Sequence, residues 1–236
     1  MAVLRALAGV VLLGAMGVAL ADPPVRPAVV ELYTSEGCSS CPPADELLEE
    51  LSHRADVVAI AFHVDYWDSG GWRDRFALPD SAKRQNRFAQ ALHLSTVGTP
   101  QMIIEGRRSV FGMNASAVSQ AIGEPREADI RVGAVVEGAN LVVDLPQRRA
   151  RQAHDLYVIS YLPQAVTRIA RGENAGLTLT EAHVVRSIRR YDVNGDAARQ
   201  WKISLDSLPK DATRVLVLLQ HAGQGAIAGV ASAGVR

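Results

Sequence analysis

The sequence predicts an α/β domain, a mixed central sheet flanked by helices, followed by a mostly-β, sandwich-like domain. Two observations carry that prediction. Between residues 29 and 122, strand-like apolar runs alternate with segments of helical period in the order β-α-β-α-β-β-α, a layered α/β arrangement. Beyond Ile130 the chain turns to short apolar runs separated by turn residues, with no useful stretch of helical period, which favours a β-sandwich of about 100 residues. The change falls near Pro125, so the 236 residues divide into a leader (1–21), an α/β domain (22–127) and a β-rich domain (128–236). Each domain is long enough to bury a core without disulfide staples.

The elements follow in order. Val29–Thr34, rich in β-branched and aromatic residues, reads as a strand that Ser35-Glu36-Gly37 breaks. Pro42 and Pro43 suit only the first turn of a helix, which Leu47, Leu48 and Leu51 continue on one face. Asp56–Val64 is almost wholly apolar, as in a sheet covered on both faces. A polar, aromatic loop spans Asp65–Asp74. Asp80 or Ser81 is the expected cap of a helix running to about Leu92. Thr99-Pro100 leads into the strand Gln101–Ile104, Glu105-Gly106 turns into Ser109–Phe111, and Asn114 caps a helix through Ile122. Six strands are predicted in the β-rich half: Arg131–Glu137, Leu141–Leu145, His154–Tyr161, Val184–Tyr191, Arg199–Leu205 and Arg214–Gln220. Gly138-Ala139-Asn140, Arg171-Gly172-Glu173-Asn174 and Asn194-Gly195-Asp196 are the breaks between them.

The N-terminus reads as a secretory signal: Arg5, the apolar stretch Ala6–Leu20, and the small-x-small site Ala19-Leu20-Ala21. Cleavage before Asp22 is expected, because the apolar stretch is shorter than the roughly 20 residues that span a bilayer. The protein is therefore expected to be exported, periplasmic or extracellular, and free of the membrane once processed. Formal net charge is zero, which gives no reason to expect nucleic acid or an anionic membrane as partner. The charge is uneven, with fifteen acidic and ten basic residues from Asp22 to Glu127, and ten acidic and fourteen basic from Ala128 onward. Signatures of nucleophilic hydrolases, phosphate-binding loops and dinucleotide sites are absent.

Cys38 and Cys41, in Cys38-Ser39-Ser40-Cys41 at a strand-to-helix junction, are the only cysteines. A disulfide across so short a loop removes little unfolded-state entropy, so a structural staple is a poor explanation. Redox chemistry or metal capture explains the pair better, and an exported compartment lets a disulfide persist. Val-Glu-Leu-Tyr-Thr leading into Cys38-x-x-Cys41, the element order, and Thr99-Pro100 ahead of a later strand together resemble the thioredoxin superfamily over residues 29–122. The whole chain resembles the secreted, thioredoxin-like domain-of-unknown-function 1223 family. The resemblance implies thiol-disulfide exchange with protein thiols or disulfides, an electron-donor or acceptor partner, and no cofactor beyond the Cys38–Cys41 disulfide.

Cys38, ahead of the helix N-terminus where dipole and amides favour a thiolate, is the expected attacking thiol. Cys41, one turn inside, is expected to be more buried and to resolve the mixed disulfide. Ser39 and Ser40 stand where thioredoxins carry Gly-Pro, and their hydroxyls suit a bond to sulfur or a helix cap. Glu36, Asp45 and Glu46 oppose thiolate formation, which favours a reducing or isomerising centre. The resemblance makes Pro100 a cis-proline and Thr99 a main-chain partner for extended substrate. Trp67 and Trp72 are candidate substrate contacts, and Glu31, His63 and Asp65 are candidate proton-transfer groups. The competing reading is soft-metal (copper) handling by Cys38 and Cys41 with His63 or Met102. Structural zinc is disfavoured for want of a second Cys/His pair. A non-catalytic binding protein of the same fold is the third possibility.

Overall fold

The computed structural model describes residues 26–126, 130–148 and 152–236. The predicted leader and the 127/128 domain boundary lie outside the described residues. Eleven strands and three α-helices form one eight-stranded and one three-stranded sheet among the described residues.

The first half follows the predicted order: β1 (Ala28–Thr34), α1 (Pro42–Ser52), β2 (Val57–His63), α2 (Pro79–Ala91), β3 (Gln101–Ile104), β4 (Arg108–Phe111) and α3 (Ala115–Ile122). Side chains alternate across a strand, so β1 presents two different faces. Val30 and Leu32 pack with Leu48 and Leu51 of α1 and Val118 and Ile122 of α3. Val29 and Tyr33 face the other way, toward Phe88 of α2. Burial on both faces is why β1 and β2 carry no solvent-facing alternation. Asn114 caps α3 as expected, its side chain accepting from Ala117 N at 3.0 Å. Helix α2 starts earlier than predicted: Leu78 is the extended N-cap, tied by its N–H to His63 O, and Pro79 takes the first helical position.

The second half contains β5 (Gly133–Glu137), β6 (Asn140–Leu145), β7 (His154–Arg168), β8 (Thr178–Val193), β9 (Arg199–Ser204), β10 (Arg214–His221) and β11 (Ile227–Gly234). Strands β5, β6 and β9 form the small sheet, and the core of Leu141, Val143, Ile203, Leu156, Val158, Val215 and Val217 lies between it and β7 and β10. Three features differ from the sequence reading. Strands β7 and β8 reach seven residues past Tyr161 and begin six before Val184, forming a long antiparallel hairpin. Strand β11, Ile-Ala-Gly-Val-Ala-Ser-Ala-Gly, was hidden by its small residues; Gly229 is required there because a Cβ would sit 2.3 Å from Ile130 O. Finally, the large sheet is continuous across both halves, in the order β11-β10-β7-β8-β2-β1-β3-β4.

The seam is one parallel pairing, Ala61 with Val184. Next to it His183, in the left-handed region at φ 52°, turns Nδ1 to Ala59 O at 2.8 Å. The sheet curls until Ile227 N, opening β11, donates to Glu105 O just past β3. Buried Arg26 fastens this closure with bonds to the Glu105 carboxylate and to Ile227 O. Inside the curl, Tyr157, Ile159, Leu216 and Leu218 from β7 and β10 join Tyr33, Phe62 and Phe88 in a shared core.

Glu105 (φ 56°) and Gly106 (φ 65°) make the turn between β3 and β4, and a Cβ on Gly106 would meet Gly225 O at 2.3 Å. Gly106→Ala is expected to cost about 1–3 kcal/mol, because left-handed backbone and overpacking act together. Urea unfolding checks this, and a loss below about 0.5 kcal/mol contradicts the close approach.

Candidate functional site

Cys38 and Cys41 form a disulfide with Cα atoms 5.4 Å apart, in the turn between β1 and α1. Cys41 is the N-cap of α1, its carbonyl receiving Ala44 N and Asp45 N. Neither serine side chain caps the helix; instead Ser40 Oγ lies 3.4 Å from Cys38 Sγ. The expected difference in exposure is not found. Both cysteines are 0 % exposed, while Ser39 and Ser40 between them face solvent. The second half of the chain reaches the cysteine turn: Asn174, between β7 and β8, donates to Glu36 O (2.9 Å) and Cys38 O (3.0 Å).

The aromatic loop after β2 closes the other side. Trp67 packs on Gly37 and donates from Nε1 to Thr99 Oγ1 at 2.7 Å, and the Thr99–Pro100 bond is cis. Trp72 Nε1 donates to Glu36 Oε2, also at 2.7 Å. Trp67 and Trp72 are thereby tied to the cysteine turn, and Thr99 to it through Trp67.

A buried ionisable cluster lies beside the turn. Thr34 and His63 are register partners on β1 and β2, so His63 emerges next to the start of the cysteine turn. Its Nδ1 is 2.7 Å from Asp74 Oδ2, and its Nε2 is 3.7 Å from Glu181 Oε1 on β8. Asp74 also accepts from Glu36 N and Phe76 N. Asp45 completes the group from the first turn of α1, four residues after Cys41 and on the same helix face. His63, Asp74, Glu36, Asp45 and Glu181 are all buried.

One imidazole facing four carboxyls cannot balance them in a medium that penalises charge, and protons make up the difference. Burial pushes Asp45 up to about 7 and Glu181 up to about 8. Burial, with repulsion from Asp74, also raises Glu36. For His63 burial opposes the charge, but Asp74 and Glu181 outweigh it and raise the imidazole to about 10. Burial would raise Asp74 as well, yet His63 and two backbone N–H groups hold it low. The acids near the cysteines therefore carry less negative charge than their number implies. That weakens the electrostatic case for a reducing centre.

Two candidate proton-transfer residues sit elsewhere. Glu31 shares the β1 face of Val29 and Tyr33, opposite α1, and is held by Arg84 at 2.7 Å through both carboxylate oxygens. Its side chain points to the α2 side of the sheet, away from the face of Val30 and Leu32 that packs on α1. Asp65 is partly exposed at the head of the turn Asp65–Asp68, and Asp74, not Asp65, takes the imidazole. Asp74, Glu181 and Asn174 escaped the sequence reading as site residues. Asn174 stood in a predicted turn and Glu181 ahead of a predicted strand; no local pattern marks either. Met102, the other soft-metal candidate, lies in the core beneath α1, and among the described residues no three His, Cys, Asp or Glu side chains are grouped to hold a metal.

Comparison with solved structures finds a crystal structure of an Agrobacterium tumefaciens protein from a structural genomics consortium. It is similar at TM-score 0.77 and 26 % identity, over 91 % of this chain and 97 % of that one. HBP35 of Porphyromonas gingivalis is similar at TM-score 0.59 and 15 % identity, over 89 % of this chain and 75 % of that one, which shows shared fold alone. No curated protein matches the sequence. The family described as "Protein of unknown function (DUF1223)" matches residues 29–220, and the chain belongs to that family.

Proposed function

We propose that the protein is an exported, thioredoxin-like thiol-disulfide oxidoreductase that exchanges disulfides with protein partners through Cys38 and Cys41. The observation that carries this reading is the disulfide itself. It spans three positions and so does little to constrain the unfolded chain, yet it sits at the end of the sheet beside a cluster of protonatable groups. The strand order β2-β1-β3-β4, with α1 and α3 on one face and α2 on the other, supports the thioredoxin-like assignment. The Thr99–Pro100 segment, tied to the cysteine turn through Trp67, supports it too. Export rests on the leader read from the sequence.

In the reducing direction, the Cys38 thiolate attacks a substrate sulfur, forming a mixed disulfide and expelling the substrate's other thiolate. Cys41 then loses its proton and attacks Cys38 Sγ, which releases the second substrate thiolate and restores the Cys38–Cys41 bond. Two electrons pass to the substrate, and the two protons lost by the cysteines balance the two substrate thiols. Asp45, one turn from Cys41 and half-ionised near pH 7, is suited to take up the Cys41 proton.

Reduction of insulin by the reduced protein tests the reading. Cys38→Ser is expected to abolish turnover, and Cys41→Ser to accumulate mixed disulfides visible on a non-reducing gel. Undiminished turnover in Cys38→Ser rejects the proposal.

A further inference from the structure

We propose that the loop between β7 and β8 is a closure over the disulfide, hinged to open for an extended, cysteine-bearing polypeptide segment. The inference rests on the exchange reading above for its purpose, but not for its test.

Four observations meet here. Both sulfur-bearing residues have no exposed surface, although the serines between them do. Asn174, itself 3 % exposed, spends both amide hydrogens on carbonyls of the cysteine turn, 138 and 136 residues away in sequence. The loop meets the aromatic loop backbone to backbone: Gly172 (φ 82°) lies where a Cβ would be 3.1 Å from Trp72 Cβ, and Gly71 (φ 92°) where one would be 3.6 Å from Gly172 Cα. Trp67 meanwhile occupies Thr99 Oγ1.

Thiol exchange requires an attacking sulfur to reach Cys38 Sγ, so an enclosed disulfide must first be uncovered. The loop is built to move as a unit. Its own bonds, Ile169 N to Leu177 O, Gly176 N to Ile169 O, Ala175 N to Gly172 O and Leu177 N to Asn174 O, keep its shape. Its described hydrogen bonds to the cysteine turn are the two from Asn174. Such small attachments place an element at the low-stability end of a fold, where local opening precedes global unfolding.

The occupant follows from what opening exposes. The Glu36 and Cys38 carbonyls lose the Asn174 amide. A segment that offers backbone N–H groups in extended form can replace those donors, as strand addition does. A small thiol such as glutathione supplies few of them. The second half of the chain thereby acts as a selector for polypeptide over small-molecule thiols.

The test is the rate at which dithiothreitol reduces the Cys38–Cys41 bond, followed by alkylation and mass. The reagent supplies two electrons and two protons, its own thiols closing to a disulfide while the protein gains two thiols. It needs no turnover, so its result stands whether or not insulin is reduced. With both attachments lost, Asn174→Ala is expected to react about tenfold faster than wild type. In wild type the rate is expected to level off at high dithiothreitol, where opening becomes limiting. Rates for the two proteins within twofold overturn the closure. If Asn174→Ala does not fold, hydrogen exchange in wild type decides: the Asn174 side-chain amide hydrogens, freed on opening, are expected to exchange at least tenfold faster than the paired amides of β7 and β8. Exchange of these amides only with that core rejects the proposal.

Discussion

Replacing Arg84 by methionine is expected to destabilise the protein by about 3–5 kcal/mol, the usual cost of stranding one partner of a buried ion pair. Arg84 is fully buried, with Nε and Nη2 on the two oxygens of Glu31 at 2.7 Å each. Nη2 also reaches Gln220 Oε1 at 3.0 Å, and Nη1 reaches Gln224 Oε1 at 3.4 Å. The guanidinium lies 4.3 Å from the Tyr157 ring centroid and 5.0 Å from that of Phe88. Methionine restores some volume but none of the five-donor fork, so the buried Glu31 carboxyl loses its cation and keeps the Tyr33 hydroxyl. Because Gln220 and Tyr157 come from β10 and β7, the damage falls on the joint between the two halves. Urea unfolding checks it, and the double variant Arg84→Met with Glu31→Leu is expected to recover most of the loss. A loss under about 1 kcal/mol for the single variant refutes the assignment.

The second large effect concerns alkali. Glu181 and Asp45 titrate above their ordinary range in the folded protein, at about 8 and about 7, and His63 titrates at about 10. In each case the native state keeps a proton that the unfolded chain has already released. The unfolded state then binds fewer protons, and stability falls as pH rises. The decline is expected to begin near pH 4–5 with the two acids and to continue, through His63, from about 6.5 to about 10. Asp74, held low, acts oppositely: its stabilisation is present above pH 4 and is lost in acid. The protein should therefore be most stable near pH 5. Glu181→Gln, which keeps the shape without the titration, is expected to gain a few kcal/mol relative to wild type at pH 9 and nothing at pH 4. Thermal unfolding at both values checks this. Equal effects at both pH values contradict a proton held on Glu181.

Local pattern made the first half readable. Its strands are apolar, two of its helices are punctuated by Pro42 and Asn114, and the cysteine pair sits where a strand meets a helix. What escaped reading depends on partners distant in sequence. Glu31 looks like any polar strand residue until Arg84 is placed against it. Glu181 and Asn174 belong to a hairpin whose length shows only when β7 and β8 are paired, because Pro163 and the bulge near Tyr161 interrupt the alternation. Strand β11 is mostly small residues, and at Gly229 the Ile130 carbonyl approaches too closely to allow a side chain. The place of the candidate site was thus legible at the cysteines, but not in the groups that surround them.

The clasp of Arg26 on Ile227 O has a consequence for how the chain comes to be made. The two residues are 201 positions apart, so the bond that closes the curled sheet awaits nearly the last strand. A fold dominated by such distant pairings forms slowly and late. Until then the cysteine turn lacks the two bonds from Asn174, which lies 136 residues beyond Cys38. The pair that is buried in the finished molecule therefore has no partner from the second half of the chain until that half has been made. Alkylating chains truncated before residue 170 checks this: both cysteines are expected to react as readily as in unfolded protein.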